Sequence, residues 1–164
     1  MRFFIISLVT FSSVTFAASK PFQASVVAFD EAIINESNPL HFGTILTNAG
    51  ASCSLDSSGS TSGSCASVDA NIAVGVINLS GLVANQSYQI EVVGSDNGVI
   101  RFSPAISVNS IETFDDDSNQ VVSTTTTPST SDTDIVVFGS LEVLSQLTAG
   151  ATYNANYTVN VSFQ

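Results

Sequence analysis

The sequence predicts an all-β chain, an immunoglobulin-like β-sandwich of mostly antiparallel strands, on three observations. Apolar residues recur with period two through most of the chain, and β-branched residues dominate them. Turn signals such as Asn38-Pro39, Asp96-Asn97-Gly98 and Leu147-Thr148-Ala149-Gly150 separate these runs. No segment sustains helical spacing. Short alternating strands between turns build a sandwich, with a closed barrel as the other architecture.

The N-terminus lies outside that pattern. Arg2 is the only charge before Lys20, and the stretch from Phe3 to Phe11 is interrupted only by Ser7 and Thr10. Small and hydroxylated residues follow, up to Ala17-Ala18. A positive start, an apolar core of roughly 7–15 residues and a small-residue exit make a secretory signal peptide. The stretch falls short of the roughly 20 apolar residues that span a bilayer. Thr15 and Ala17 place cleavage after Ala17, so residues 1–17 are expected to be a signal peptide and residues 18–164 a single domain. An uncleaved anchor is the other reading. No later segment is apolar for long enough to span a membrane, and the protein is expected in the periplasm, at the cell surface or outside the cell.

Residues 24–34 carry Val26, Val27, Phe29, Ile33 and Ile34 around Asp30-Glu31, a first strand with a bend or bulge. Residues 40–45 follow the Asn38-Pro39 turn as a second strand, and residues 68–78 alternate Val68, Ala70, Ile72, Val74 and Val76. Tyr88, Ile90 and Val92 share a face of the next strand. Asn97-Gly98 readily supplies the positive φ angles of a tight hairpin, with residues 99–102 as the return strand, broken by Ser103-Pro104. Ile106, Val108 and Ile111 mark a further short strand. Residues 114–119 are expected to be exposed loop. Residues 121–133, rich in Thr and Ser and containing Pro128, are expected to be a long loop or irregular edge. Residues 134–144 offer Ile135, Val137, Leu141 and Val143. The clearest element is the last, where Tyr153, Ala155, Tyr157, Val159, Val161 and Phe163 form one face and Asn, Thr, Ser and Gln the other.

Composition narrows the chemistry. Charged residues are 10% of the chain, well below the roughly 25% of an average soluble protein. Beyond the signal peptide only Lys20 and Arg101 oppose fourteen acids, a balance that repels phosphate backbones and excludes nucleic acid as a partner. Cys53 and Cys65 flank a Ser/Gly-rich run, which in an oxidising compartment reads as a disulfide pinning a loop that is flexible by itself. A metal pair is the rival reading, but His41 is the only histidine and further ligands are lacking.

His41 is also the only base open to a Ser-His-Asp arrangement, and it sits in a strand rather than beside a nucleophile-bearing turn. No catalysis and no cofactor are expected. Asp115, Asp116 and Asp117 with Asn119 could offer oxygens to calcium, but the glycine and the terminal glutamate of a calcium loop are missing, so a solvated acidic loop is favoured. Glycan binding stays open, although tryptophan is absent and Tyr88, Tyr153 and Tyr157 fall on apolar faces.

Three stretches give the chain a family likeness. Leu40-His41-Phe42-Gly43-Thr44-Ile45 resembles an L-x-F-G-x-I start, and Phe138-Gly139-Ser140-Leu141-Glu142-Val143 is similar to a G-G-x-L-x-V segment. Residues 149–163 resemble the ending A-G-x-Y-x-G-x-Y-x-V-x-V-x-Y, with Ala155 in place of a glycine and Phe163 in place of the final tyrosine. These motifs belong to the bacterial secreted family known as domain of unknown function DUF4402. The resemblance implies a pilin-like sandwich in the envelope of a Gram-negative bacterium, with no known catalysis and no catalytic residues to carry over; the cysteine loop is not part of the pattern. The expected function is that of a non-catalytic secreted or cell-surface structural protein, such as a fimbrial subunit. A carbohydrate- or host-binding adhesive module is the alternative. Partners would be other surface subunits, a periplasmic chaperone or glycans. The terminal strand carrying Tyr153, Tyr157, Val159, Val161 and Phe163 either closes its own sandwich or serves assembly by β-augmentation.

Overall fold

The structure is a computed structural model that describes residues 32–66, 69, 71–115, 119–126 and 132–163. The signal peptide, most of the first expected strand, Val68 and Ala70, Asp116 and Asp117, and the stretch around Pro128 lie outside the described residues. In chain order the strands are β1 (Ile33–Asn38), β2 (Ser52–Leu55), β3 (Thr61–Gly63), β4 (Gly75–Ser80), β5 (Ser87–Val93), β6 (Ser95–Asp96), β7 (Ile100–Val108), β8 (Ile111–Phe114), β9 (Gln120–Thr126), β10 (Thr133–Val143) and β11 (Thr158–Phe163). No helix occurs among the described residues, and all pairings there are antiparallel.

β10 organises the larger sheet. Its first half pairs with β4 and its second half with β2, while β7 runs along its other side from Ile135 to Val143. β1 extends the sheet beyond β4, β3 extends it beyond β2, and β6 and β8 line the far side of β7. The smaller sheet has the order β11-β5-β9. The two sheets pack face to face, Tyr88, Ile90, Val92 and Val121 of the smaller against Ile77, Leu79, Phe102, Ile106, Ile135 and Val137 of the larger. Each such buried side chain contributes about 1.5–3 kcal/mol. This is the expected sandwich, with two separate sheets and not one closed barrel.

Several elements differ from the sequence reading, each for a local reason. Residues 40–45 are not a continuous strand; their strand pairing among the described residues is two isolated bridges, His41 to Ala73 and Ile45 to Cys65. Gly43 between them has φ +71°, a left-handed conformation that interrupts an extended run. Among the described residues of the expected strand over residues 68–78, ladder pairing starts at Gly75, with β10 on one side and, from Val76, β1 on the other. β7 passes straight through Ser103-Pro104. Pro104 lies opposite Gly139 of β10, and on the other side between the stretches paired to β6 and to β8, a position that tolerates a missing N–H.

Ile111 belongs to a new strand, because Asn109 and Ser110 adopt φ of 51° and 64° and turn the chain tightly. The Asn97-Gly98 turn forms, yet it joins β6 to β7 and not β5 to β7. β5 pairs with β9 and β11 in the other sheet. The Thr- and Ser-rich stretch from residue 120 to 126 is strand β9, paired with β5 along its length, because threonine is β-branched and suits an edge strand.

The cysteine loop is more ordered than expected. β2 and β3 form a hairpin with Cys53 opposite Gly63, and the Cys53–Cys65 disulfide is formed. Asp56 shapes the turn by accepting hydrogen bonds from the Ser58 hydroxyl and the Ser58 and Ser60 N–H groups at 2.6–2.9 Å. These donors, led by the Ser58 hydroxyl and then the Ser60 N–H, hold its carboxyl below the usual aspartate value. Releasing a closed loop of this size costs about 3 kcal/mol in the chain-entropy model. Cys65→Ser is therefore expected to lower unfolding stability by about 3 kcal/mol in urea titration. A variant as stable as the parent would show that the hairpin alone holds this loop.

Candidate functional site

The last strand sits at the edge of the smaller sheet. β11 pairs with β5 from Thr158 opposite Val93 to Phe163 opposite Tyr88. It pairs with no other strand among the described residues. Across the open side of the sandwich stands β1, the edge strand of the larger sheet, paired only with β4 among the described residues. No described strand bridges the two edges, and the space between them is a cleft in two parts. One part, about 340 Å³, lies between Ala32 and Ile34 on one side and Val159, Val161 and Phe163 on the other. The second, about 450 Å³, lies between Ile34 and Glu36 and the stretch from Ala155 to Val159.

The cleft is mixed in character and poorly covered, with Ile34, Val159, Val161 and Phe163 beside Glu36, Asn160 and Ser162. Ile33 is 62% exposed, Ile34 45% and Phe163 57%, on edges that a soluble protein usually blunts with charge or short strands. Tyr157 lines it just before β11. Its hydroxyl donates to Glu36 at 3.2 Å, tying the two edges together. Burial first, and then the neighbouring Glu36 carboxylate, push the Tyr157 phenol up to about 12 from its ordinary value near 10.

A phenol whose folded pKa is raised contributes stability that is present below its unfolded value and lost as pH rises through the folded one. Neutral Tyr157 thus supports the fold below pH 10, and that support disappears as pH approaches 12. Tyr157→Phe is expected to flatten the loss of thermal stability across this window, measured by melting at stepped alkaline pH. An unchanged alkaline slope would show that Tyr157 is not the group responsible.

The structure divides the residues expected on the last strand. Val159 and Val161 lie in β11, half-buried and packed on the main core, and Tyr157 and Ala155 continue that row just before the strand. Phe163 continues the alternation but stays exposed, its ring resting on Tyr88 with centroids 4.7 Å apart. Tyr153 departs from it. It lies before β11, is 38% exposed, and its hydroxyl accepts the Thr148 N–H at 2.9 Å. That hydrogen bond lowers its phenol from the ordinary value. The regular ladder begins only at Thr158, so alternation from Tyr153 to Tyr157 is a row of side chains without a strand to carry it.

A second concavity was not visible in the sequence. On the outer face of the larger sheet, a groove of about 990 Å³ runs between the β2–β3 hairpin and the β7–β8 hairpin. Its floor is a small apolar cluster of Leu55, Ala105 and Phe138. Phe114, 63% exposed, stands on Phe138 edge-to-face at 6.0 Å. Hydroxyls of Ser54, Thr61 and Ser140 and the carboxylates of Asp56 and Glu112 ring it, and a Ser57–Glu112 hydrogen bond links the two hairpins. These residues come from strands distant in sequence. The one local signal was Phe114 beside an acidic run, which reads as loop when taken alone.

His41 is exposed, and its Nδ1 accepts the Gly43 N–H at 2.9 Å. Nearby Asp69 accepts the Asn71 N–H and the Thr44 hydroxyl, and these hold its carboxyl below the usual value. Arg101 pairs with Asp96 at 3.0 Å and with Glu142 at 3.3 Å on the surface. Among the described residues no three His, Cys, Asp or Glu side chains gather where they could hold a metal ion, and no helix there is long and apolar enough to cross a membrane. Asp116 and Asp117 of the calcium reading lie outside the described residues.

Two antiparallel sheets packed face to face, the larger carrying one disulfide beside its β2–β3 hairpin, define an all-β sandwich of the immunoglobulin-like class. The chain belongs to the family described as Domain of unknown function (DUF4402), which it matches over residues 33–163. No curated protein and no solved structure matches it.

Proposed function

We propose that the protein is an exported, non-catalytic structural subunit of a bacterial surface, assembled through the open edge of β11. The cleft between β1 and β11, two edges that no described strand bridges, carries this reading. An edge that no described strand covers, with exposed Ile34 and Phe163, is a template for another strand, and assembly or a chaperone would cover it. The disulfide agrees with an oxidising destination, and the signal-peptide pattern of residues 1–17 supplies the route. Fractionating cells that express the full chain tests this: envelope or extracellular material should carry multi-copy assemblies whose chains begin at Ala18. A cytoplasmic monomer that retains Arg2 would overturn it.

The outer groove favours a second reading, a glycan-binding adhesive module. An exposed aromatic above an apolar floor, ringed by hydroxyls and carboxylates, suits the mixed surface of a sugar. On this reading Phe114→Ala abolishes retention on glycan arrays while assembly is unchanged. A full-length protein that binds no glycan on the array would remove it.

A further inference from the structure

The outer groove, as a glycan site, leaves open which sugars it takes, and the following rests on that reading. We infer that it selects a glycan bearing free amines, a cationic oligosaccharide of aminosugars, over neutral and acidic glycans.

Charge decides the class of sugar. Asp56 in the β2–β3 turn, Glu112 of β8 and Asp115 just after β8 line the groove. Arg101 lines it too, but its guanidinium is already paired with Asp96 at 3.0 Å and with Glu142 at 3.3 Å, neither of them a groove residue. The lining therefore carries an excess of negative charge, on a chain whose net charge is −11. A uronic, sialic or sulfated sugar would bring like charge to it, whereas ammonium groups would meet complementary charge.

The rest of the lining suits a cation carried on a sugar. Phe114, exposed above the floor of Leu55, Ala105 and Phe138, offers a ring to the C–H face of a pyranose and attracts an ammonium group to its π-face. Ser54, Thr61, Ser62, Ser103 and Ser140 add hydroxyls. A hydroxyl both donates and accepts, as the hydroxyls of a sugar do, while the charged side chains of a basic peptide only donate. The groove is also shaped in advance, because the Ser57 hydroxyl donates to Glu112 and joins the two hairpins, so less ordering opposes binding.

Titration calorimetry of the full exported chain with tetrasaccharides of glucosamine, N-acetylglucosamine and galacturonic acid tests the selection. At low ionic strength the glucosamine tetramer is expected to bind about tenfold more tightly than the N-acetylated one, a preference that shrinks in high salt. The galacturonic tetramer is expected not to bind. Glu112→Gln, which keeps an acceptor for Ser57, and Asp115→Asn should each cut the preference about threefold. Equal affinity for the glucosamine and N-acetylglucosamine tetramers, or a preference unchanged in both variants, would overturn the inference and leave the glycan reading standing. If Phe114→Ala binds the glucosamine tetramer as tightly as the parent, the attraction belongs to the acidic surface at large and the inference falls. Binding of a lysine-rich peptide but not of the glucosamine tetramer would overturn it in favour of a basic protein partner. If none of the three tetrasaccharides binds, the inference falls, and a blank glycan array would take the glycan reading with it.

Discussion

Gly139→Ala is expected to destabilise the protein by at least about 3 kcal/mol, because it combines backbone strain with a clash against main-chain atoms. Gly139 has φ +134°, a region closed to residues with a Cβ. A Cβ at this position would lie 2.2 Å from the Ser103 carbonyl oxygen and 2.9 Å from the Ala105 nitrogen. Neither neighbour can rotate away, since both belong to β7, which is paired to β10 along its length. Gly139 is also where β10 passes from its partner β4 to its partner β2, so the kink allows one strand to serve both halves of the sheet. Urea unfolding of the variant should show a lower midpoint, or no cooperative transition. A loss of under about 1 kcal/mol would mean that the β7–β10 ladder shifts freely here, against the geometry described.

Phe102→Ala should cost about 3–5 kcal/mol, the range for emptying a buried aromatic site. Phe102 is fully buried, and its ring meets Phe42 edge-on at 5.7 Å and Tyr157 at 5.8 Å. It thereby anchors two stretches that have little ladder pairing of their own, the one from Leu40 to Ile45 and the one leading into β11. Beyond the loss of stability, the Tyr157 phenol should become better hydrated and titrate below about 12. Alkaline titration of phenolate absorbance would show this. A destabilised variant in which Tyr157 still titrates near 12 would separate the packing role of Phe102 from any role in shielding the phenol.

Much of the fold was legible because period-two alternation survives wherever one face of a strand is buried. Tyr88, Ile90 and Val92 read as one face and are one face, buried against the other sheet. Ile135 and Val137, and Val159 and Val161, behave in the same way. The disulfide was legible because two cysteines close in sequence have little choice of partner. Alternation reports a buried face and says nothing about backbone pairing. Tyr153 to Tyr157 kept the pattern without forming a strand, and the Thr-rich β9 formed a strand behind a weak apolar signal.

The candidate sites divide along the same line. Local sequence marked the last strand as one continuous amphipathic element, and Ala155, Tyr157, Val159, Val161 and Phe163 of its inward row are among the residues that line the cleft. That this strand lies at an edge, opposite β1 and with no described strand between them, follows from long-range pairing that no local pattern encodes. The outer groove is less legible still, because Leu55, Ala105, Phe114 and Phe138 come from four strands and meet only when β10 brings β2 and β7 to its two sides. By itself the sequence determined the class of fold, the inward face of most strands, the cysteine pair and the family likeness, all consequences of short-range periodicity and composition. Only the tertiary structure decided which strands share a sheet, where Pro104 and Gly139 are tolerated and which edge is left open, because backbone hydrogen bonding between strands far apart in the chain is satisfied globally and not by any segment on its own.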